Sequence, residues 1–350
     1  MIEDSALQPA PERSKVRQAE VSAEDAGLRL DKYLSKALPQ VPLGHVFRLI
    51  RKGEVRVNGK RAQGSQRLQA GDLVRIPPVR TAPLAPAPDG TPPQRRVPQR
   101  LIEEVRACVL HRDDQLLAVN KPAGLAVHGG SGVSFGLIEA LRAAYPDDEL
   151  ELVHRLDRDT SGCLLVARKA SALRTLHALL REHEFDKRYL ALVAGKWDLG
   201  KKRIDMPLRT DLRVGGERTV KAHASGKSAI SDFRPVQFFG NRASLLEVSI
   251  KTGRTHQIRV HAAYAGHPVA GDEKYGDAEV NAAMEAFGLA RMFLHASSVS
   301  FEWPRGGTVS LNAPLPPDLA AVIDALAAAP KARAFRGPRG PRGAGRPRAR

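Results

Sequence analysis

Apolar residues recur at helical spacing in two short runs near the start of the chain. In LRLDKYLSKAL, Leu28, Tyr33, Leu34 and Leu38 fall near one face of a predicted helix, which Pro39 and Pro42 end. In GHVFRLIRKG, Val46, Leu49 and Ile50 form the inward stripe of a second helix, stopped by Gly53. EVRVNGKRA then reads as a strand entering a turn, with Asn58-Gly59 as the hairpin signal, and GDLVRIPP as a closing strand.

Further along, RACVLHRDDQLLAVNKP predicts two strands joined at Asp113-Asp114, and Leu137 to Ala144 a short helix. GCLLVARK is a buried strand and SALRTLHALLREH an amphipathic helix. KRYLALVAG, SLLEVSI and LHASSVSFEW are further strands. Thr255 is placed to cap a helix from His256 toward Ala265, with Gly266 as its stop. Strands and helices interleave without a strict alternating beat, so the expected class is α+β with a mixed sheet.

Between these patterned stretches, RTAPLAPAPDGTPPQRRVPQR (80–100) is rich in Pro and poor in large apolar residues, as a linker is. It separates a small domain at 20–79 from a large one at 101–330. Residues 1–19 are expected to be a flexible N-terminus, and 331–350, which lack any apolar period, a disordered basic tail. At 350 residues with 42% hydrophobic content, two cored domains are in range. No apolar run is long enough for a membrane span, and the N-terminal residues lack the apolar segment of a secretory signal. Two cysteines, Cys108 and Cys163, exclude a disulfide scaffold, leave room for one bridge, and point to the reducing cytoplasm.

Charge alters the picture more than composition does. The formal net charge is +17, and it is uneven. Residues 1–80 hold fifteen basic against nine acidic side chains, and 331–350 hold eight basic and none acidic. The stretch between is near balance, with thirty-two against twenty-nine. Basic ends on a neutral middle attract polyanions, and nucleic acid is the foremost candidate. Arg48, Arg51, Lys52, Lys60 and Arg61 cluster on the second helix and the hairpin. With RLDKYL followed by RKGEVRVNGK, residues 20–79 resemble the S4 RNA-binding domain, so these five are expected to contact RNA.

The densest chemistry lies in HRLDRDTSG, His154 to Gly162, where two arginines and two aspartates precede a buried strand. A carboxylate among arginines is held ionised and can serve as a nucleophile, but a salt-bridged structural turn carries the same residues. Spacing alone does not choose between them. HRLDRDTSG also resembles the signature of the RluA family of pseudouridine synthases. LLAVNKPAGLAVHGG, KRYLALVAG, KTGRTHQIRVHAAYAGHPVAGDEKYG and RMFLHA agree with it in the same order. The likeness covers nearly all of 101–320. VHGGSGVSFGLIEALR beside LELVHRLDRDTSG is most similar to the RluC branch, which modifies uridines of 23S ribosomal RNA.

The resemblance implies a mixed-sheet catalytic domain and the isomerisation of uridine to pseudouridine. The N1–C1′ bond breaks, the base turns, and C5 joins C1′. No atoms are gained or lost, so no cofactor is expected. Asp157 matches the family's catalytic aspartate, acting by attack on C1′ or by proton abstraction from the sugar; the sequence leaves both open. Arg259 matches its basic partner and Tyr189 the tyrosine stacked on the target base. Leu294 matches an apolar residue near that base. Arg155 is expected to fill the space left when the uridine is extruded. Asp159, Thr160 and Ser161 are expected to shape the loop through side-chain to backbone hydrogen bonds. Gly129-Gly130-Ser131-Gly132 is not a P-loop, because no Gly-Lys-Ser/Thr follows; it reads as a flexible loop near the RNA. His154, His256, His261 and His295 lack nearby cysteines, and no metal site is expected. The expected partner is 23S ribosomal RNA or a large-subunit precursor, with no membrane, bound by a monomer. A non-catalytic ribosome-assembly factor or a nucleoside hydrolase are the competing readings.

Overall fold

The computed structural model describes residues 16–23, 25–38, 41, 43–79, 96–129, 135–212, 218–304 and 306–330. They form two compact units that divide between Arg96 and Val97.

In the first unit, β1 (Arg17–Glu20) is followed by α1 (Leu30–Ala37) and α2 (Leu43–Lys52). Then come β2 (Arg56–Val57), β3 (Lys60–Arg61) and β4 (Leu73–Ile76). The sheet runs β1-β4-β2-β3, with every pairing antiparallel. Leu30, Leu34, Val46, Leu49, Val57 and Val74 meet in its core. Asn58 and Gly59 both take positive φ, 50° and 75°, as a two-residue hairpin turn requires. Strand β1 corrects the expectation of flexibility up to residue 19. Its side chains are mostly exposed, so no apolar alternation announced it; backbone pairing with β4 orders it.

The second unit opens with α3 (Gln99–Ala107), β5 (Val109–Arg112), β6 (Leu116–Lys121), α4 (Leu137–Ala144), β7 (Glu151–Leu152), β8 (Ser161–Ala167) and α5 (Ala170–Arg181). It continues with β9 (Asp186–Ala194), β10 (Lys202–Asp205), β11 (Leu208–Leu212), β12 (Arg218–Ala222), β13 (Ile230–Phe239) and β14 (Ala243–Ile250). Next come α6 (Gln257–Tyr264), α7 (Ala278–Glu285), β15 (Leu294–Trp303), β16 (Gly307–Asn312) and α8 (Pro317–Ala328). Helix α3 is a second correction: it starts inside the expected linker and occupies Arg106–Ala107, which the sequence pattern gave to a strand. Leu101, Ile102 and Val105 turn its one apolar stripe onto the core shared with α4, and Arg106 Nη2 donates to the Ala144 carbonyl at 2.7 Å. Both cysteines are free thiols. Residues 1–15, 80–95, 130–134 and 331–350 lie outside the described residues, and with them most of the expected N-terminus, linker, glycine loop and tail.

The main sheet runs β10-β13-β14-β9-β15-β8-β6-β5, with β16 added on β15 and β7 on β8. Only β8 and β15 pair in parallel, His295 with Ser161 and Ala296 with Gly162, so the sheet is mixed. Glycine is required at this junction. Gly162 has φ +115°, and a Cβ there would lie 2.2 Å from the Ala296 carbonyl oxygen. The continuous apolar runs divide by the strand period of two. Leu117, Val119, Leu164 and Val166 pack with α3 and α4, while Leu116, Ala118, Cys163 and Leu165 pack with α5. On β9, Tyr189, Ala191 and Val193 join the first face, and Leu192 and Ala194 face α7 and α8. That alternation turns Tyr189 toward the loop before β8.

Candidate functional site

A cleft opens where the β7–β8 loop, β9, the start of α6 and the start of β15 converge. It is lined by Arg155, Asp157, Thr160, Tyr189, Arg259 and Leu294, among others. Residues distant in the chain thus meet at one place. Asp157 and Arg259 are 102 positions apart, yet Arg259 Nη1 lies 3.5 Å from Asp157 Oδ2. Tyr189 and Leu294 are buried in the apolar wall with Leu156, Ile250 and Ile258. Burial and the nearby Asp157 carboxylate push the Tyr189 phenol well above its usual range, keeping it protonated. Arg155 is exposed at the rim.

The loop carrying Asp157 is held from beneath by Lys121, at the end of β6. This lysine is fully buried, and its ammonium donates to the carbonyls of Pro122 at 2.8 Å, Leu125 at 2.9 Å and Arg158 at 2.9 Å. Gly124 N–H donates to the same Arg158 carbonyl at 2.9 Å. Burial pulls Lys121 down to about 7, opposed by the charges of Asp159 and Asp157. Lys121→Met fills the space but orphans two carbonyls and weakens a third. The expected cost is about 2–4 kcal/mol of stability, with a further loss of activity from the slackened Asp157 loop. Urea unfolding and turnover on the same preparation test it; an unchanged midpoint contradicts the tether.

Helix α6 presents Arg259. His256 precedes it in the left-handed region at φ 54°, and no side chain caps the helix. The expected Thr255 cap is therefore absent. Gln257 closes the end instead: its Oε1 accepts from Thr252 Oγ1 at 2.7 Å and Arg254 N–H at 3.1 Å, and its Nε2 donates to the Ile230 carbonyl at 2.9 Å. Six consecutive residues, Gln257 to Ala262, are buried, so the helix is packed all round and its register is fixed.

The principal partner of Arg259 is Asp272 rather than Asp157. Arg259 Nε and Nη2 donate to the two Asp272 oxygens at 2.7 and 2.8 Å, a bidentate pair fixing the guanidinium plane. Asp272 also accepts from the N–H groups of Lys274 at 2.9 Å and Tyr275 at 3.0 Å. Burial disfavours its charge, but Arg259 and these two N–H groups outweigh it and hold Asp272 below the usual carboxylate range. The third guanidinium nitrogen, Nη1, is left to face Asp157.

His256 is the other group beside Asp157, its Nε2 3.8 Å from Oδ2. Its Nδ1 is 2.8 Å from the Tyr275 hydroxyl, which accepts from Val220 N–H at 3.1 Å. The hydroxyl can donate to Nδ1 or accept from it; in the tautomer where it donates, Nε2 carries the imidazole proton on the side of Asp157. Burial first, with help from Arg259 and Lys274, lowers the His256 pKa against the pull of Asp157, favouring the neutral ring. Asp272, Tyr275, His256 and Lys121 all lay within the stretches singled out by sequence, but no spacing rule assigned them to this site.

The other three histidines singled out from the sequence are held by backbone and serine partners. His154 Nε2 accepts from Leu165 N–H at 3.1 Å, and burial and the Lys187 charge push it down to about 3. His261 lies between Ser231 Oγ and the Met206 carbonyl, and His295 between Ser161 Oγ and the Ala313 carbonyl. The loop side chains also depart from expectation. Ser161 bonds to His295 rather than to the local backbone, Asp159 pairs with Arg158 at 3.5 Å, and the buried Thr160 Oγ1 has no protein partner.

In the first unit, Arg48, Arg51, Lys52, Lys60 and Arg61 are all exposed. Arg61 Nη2 donates to the Arg51 carbonyl at 2.9 Å, drawing the β2–β3 hairpin against the end of α2. Gly53 permits this approach; a Cβ there would lie 2.6 Å from Arg61 Nε. Among the described residues no helix is long and apolar enough to cross a membrane, and no group of three or more His, Cys, Asp and Glu side chains is arranged to hold a metal.

Residues 115–264 match the RNA pseudouridylate synthase family, and residues 28–74 match the S4 domain. The ribosomal large subunit pseudouridine synthase C of Pasteurella multocida is 48% identical over 313 residues, covering 89% of this chain and 94% of that protein. The protein of the same name from Escherichia coli K12 is 46% identical over 308 residues, covering 87% and 94%. Among solved structures, human RNA pseudouridylate synthase domain containing 1 aligns with a TM-score of 0.53 at 26% identity, over 66% of this chain and 98% of that one. Human RNA pseudouridylate synthase domain containing 4 aligns at 0.54 and 23% identity, over 65% and 96%, and shows the shared fold.

Proposed function

Because the chain belongs to the RNA pseudouridylate synthase family and is an RNA pseudouridine synthase, we propose that it acts on large-subunit ribosomal RNA with Asp157 as its catalytic residue. The observation that carries the residue assignment is the meeting of Asp157 with Arg259 at 3.5 Å beside the apolar wall of Tyr189 and Leu294. Isomerisation requires one carboxylate at the ribose. It does not require the second carboxylate with which a glycosidase handles water and leaving group. Asp157 either attacks C1′ as N1 departs, or takes a proton from the sugar to give a glycal. The detached uracil turns in place and C5 joins C1′, as the Asp157–C1′ bond breaks in the first route or as Asp157 returns the proton to the sugar in the second; C5 then loses its proton and N1 gains one.

The surrounding residues serve that sequence. Arg259 Nη1 and the His256 ring, both beside Oδ2, bias the carboxylate toward one orientation. The protonated Tyr189 gives the uracil ring a flat, largely dry surface on which to turn, and Leu294 closes the same wall. Arg155 at the rim occupies the gap left in the RNA by the extruded uridine. The basic face of the S4 unit supplies phosphate contacts that carry no sequence information. The reaction needs no metal or cofactor, and a cytoplasmic monomer suffices for it.

The test is tritium release from an unmodified large-subunit ribosomal transcript labelled at uridine C5. Release proportional to pseudouridine formed is expected. Tight binding without release, on both free RNA and precursor particles, would favour an assembly factor. Release from free uridine would indicate a nucleoside enzyme.

A further inference from the structure

Beside the catalytic cleft lies a second cavity of about 500 Å³ that shares Arg155, Tyr189, Ile250, Gly253 and Arg254 as a common wall. Five cationic side chains line it, Arg155, Arg181, Lys187, Lys251 and Arg254, together with three histidines and no carboxylate. Lys187 is the unusual member. It sits on β9 two residues before Tyr189, hence on the same face of the sheet, opposite Ile250 on β14. Only 8% of it is exposed. Among the described residues its ammonium has neither a hydrogen-bond acceptor nor an acidic partner, and Nζ lies about a van der Waals contact from the Cβ position of Gly253 in the cavity wall. Burial, and then Lys251, lower it to about 8.

An ammonium on a largely buried side chain, with no protein partner and with like-charged neighbours, is costly to hold. A cavity that gathers such groups and excludes every carboxylate suits an anion that supplies the missing charge. Inorganic anions fit that description, but the shared wall with the cleft narrows the choice. A uridine whose base and ribose occupy the cleft carries its own phosphodiesters past Arg155 and Arg254.

We propose that this cavity is a phosphate subsite, in which Lys187 holds a phosphodiester of the RNA strand flanking the extruded uridine. The inference rests on the functional reading above and names a binding residue for the same RNA. Lys251, Arg254 and Arg181 enclose the phosphate from the adjoining loop and from α5. Lys187 acts on substrate placement, while Asp157 acts on bonds.

The full-length protein and its Lys187→Met and Lys187→Arg variants are compared by fluorescence anisotropy on a labelled, unmodified large-subunit ribosomal RNA fragment across a potassium chloride series. Lys187→Met is expected to weaken binding about 5- to 10-fold at moderate salt and to reduce the slope of log affinity against log salt by about 0.7 to 1. Lys187→Arg is expected to keep the slope. The Tm of Lys187→Met should equal or exceed that of the unsubstituted protein, because a desolvated charge has been removed. A lower Tm with unchanged affinity and slope makes Lys187 a structural cation and overturns the proposal. Saturable binding of inorganic phosphate that needs Lys187, with RNA affinity indifferent to it, assigns the cavity to a free anion and also overturns it. These readouts measure binding, so they fail separately from the tritium assay. A Lys187-dependent slope without tritium release leaves an RNA phosphate site standing and counts instead against the labelled transcript as the substrate.

Discussion

Asp157→Asn is expected to reduce pseudouridine formation by more than about 10⁴-fold while leaving the fold and RNA affinity nearly unchanged. The two effects separate because of where the carboxylate sits. Its side chain is 17% exposed in the cleft, and its ion pairs are long, 3.5 Å to Arg259 and 3.8 Å to His256. Arg259 keeps its bidentate partner Asp272 when Asp157 loses its charge, so no buried cation is stranded. The stability cost should therefore stay within about 1 kcal/mol. The amide keeps the shape but neither displaces at C1′ nor accepts a proton from the sugar. Tritium release and thermal unfolding on the same preparation decide the matter. Turnover within tenfold of the unsubstituted enzyme would remove Asp157 from the chemistry.

Asp272→Asn should show a different profile, a large loss of stability together with a loss of activity. Asp272 is buried and accepts four hydrogen bonds, two from Arg259 and two from the Lys274 and Tyr275 backbone. Its neutralisation leaves a buried guanidinium without its main counter-charge, at a cost of about 3–5 kcal/mol. In a unit of this size that corresponds to a fall in Tm of about 10 °C. Activity is expected to drop about 100-fold even below the new Tm, because Arg259 is no longer held in the plane that aims Nη1 at Asp157. The double variant Asp272→Asn, Arg259→Met separates the two causes. Removing the stranded cation should restore most of the Tm and none of the activity. Recovery of both would mean that Arg259 does not serve Asp157, and recovery of neither that the pair is not the source of the instability.

Much of the fold was legible in the residue pattern because strands and helices follow short-range periods. The continuous apolar runs in LLAVNK and GCLLVARK and the stripe in SALRTLHALLREH sit where expected, as β6, β8 and α5. The failures share a physical origin. Strand β1 is ordered by backbone pairing that polar side chains do not advertise. Helix α3 was hidden by prolines preceding its single apolar stripe. Thr255 has the chemistry of a cap, but Gln257 holds the helix end through four partners drawn from two neighbouring segments.

By itself, the sequence determined which residue types were present, in which local frame, and which family they resemble. It placed Asp157, Tyr189, Arg259 and Leu294 in short stretches whose spacing is set by covalent connectivity. Tertiary structure decided their partners. Asp272 rather than Asp157 is the main counter-ion of Arg259 because a guanidinium buried in a fully packed helix needs a desolvated bidentate acceptor, and the turn after α6 supplies one. His256 is set beside Asp157 with its other ring nitrogen against the Tyr275 hydroxyl, which Val220, on β12, holds through its N–H. Lys121 and Lys187 look like ordinary strand lysines until the sheet closes over them; one then meets three carbonyls and the other none. Periodicity acts over a few residues. Charge pairing and desolvation depend on groups up to a hundred or more positions away, and only the folded chain brings those together.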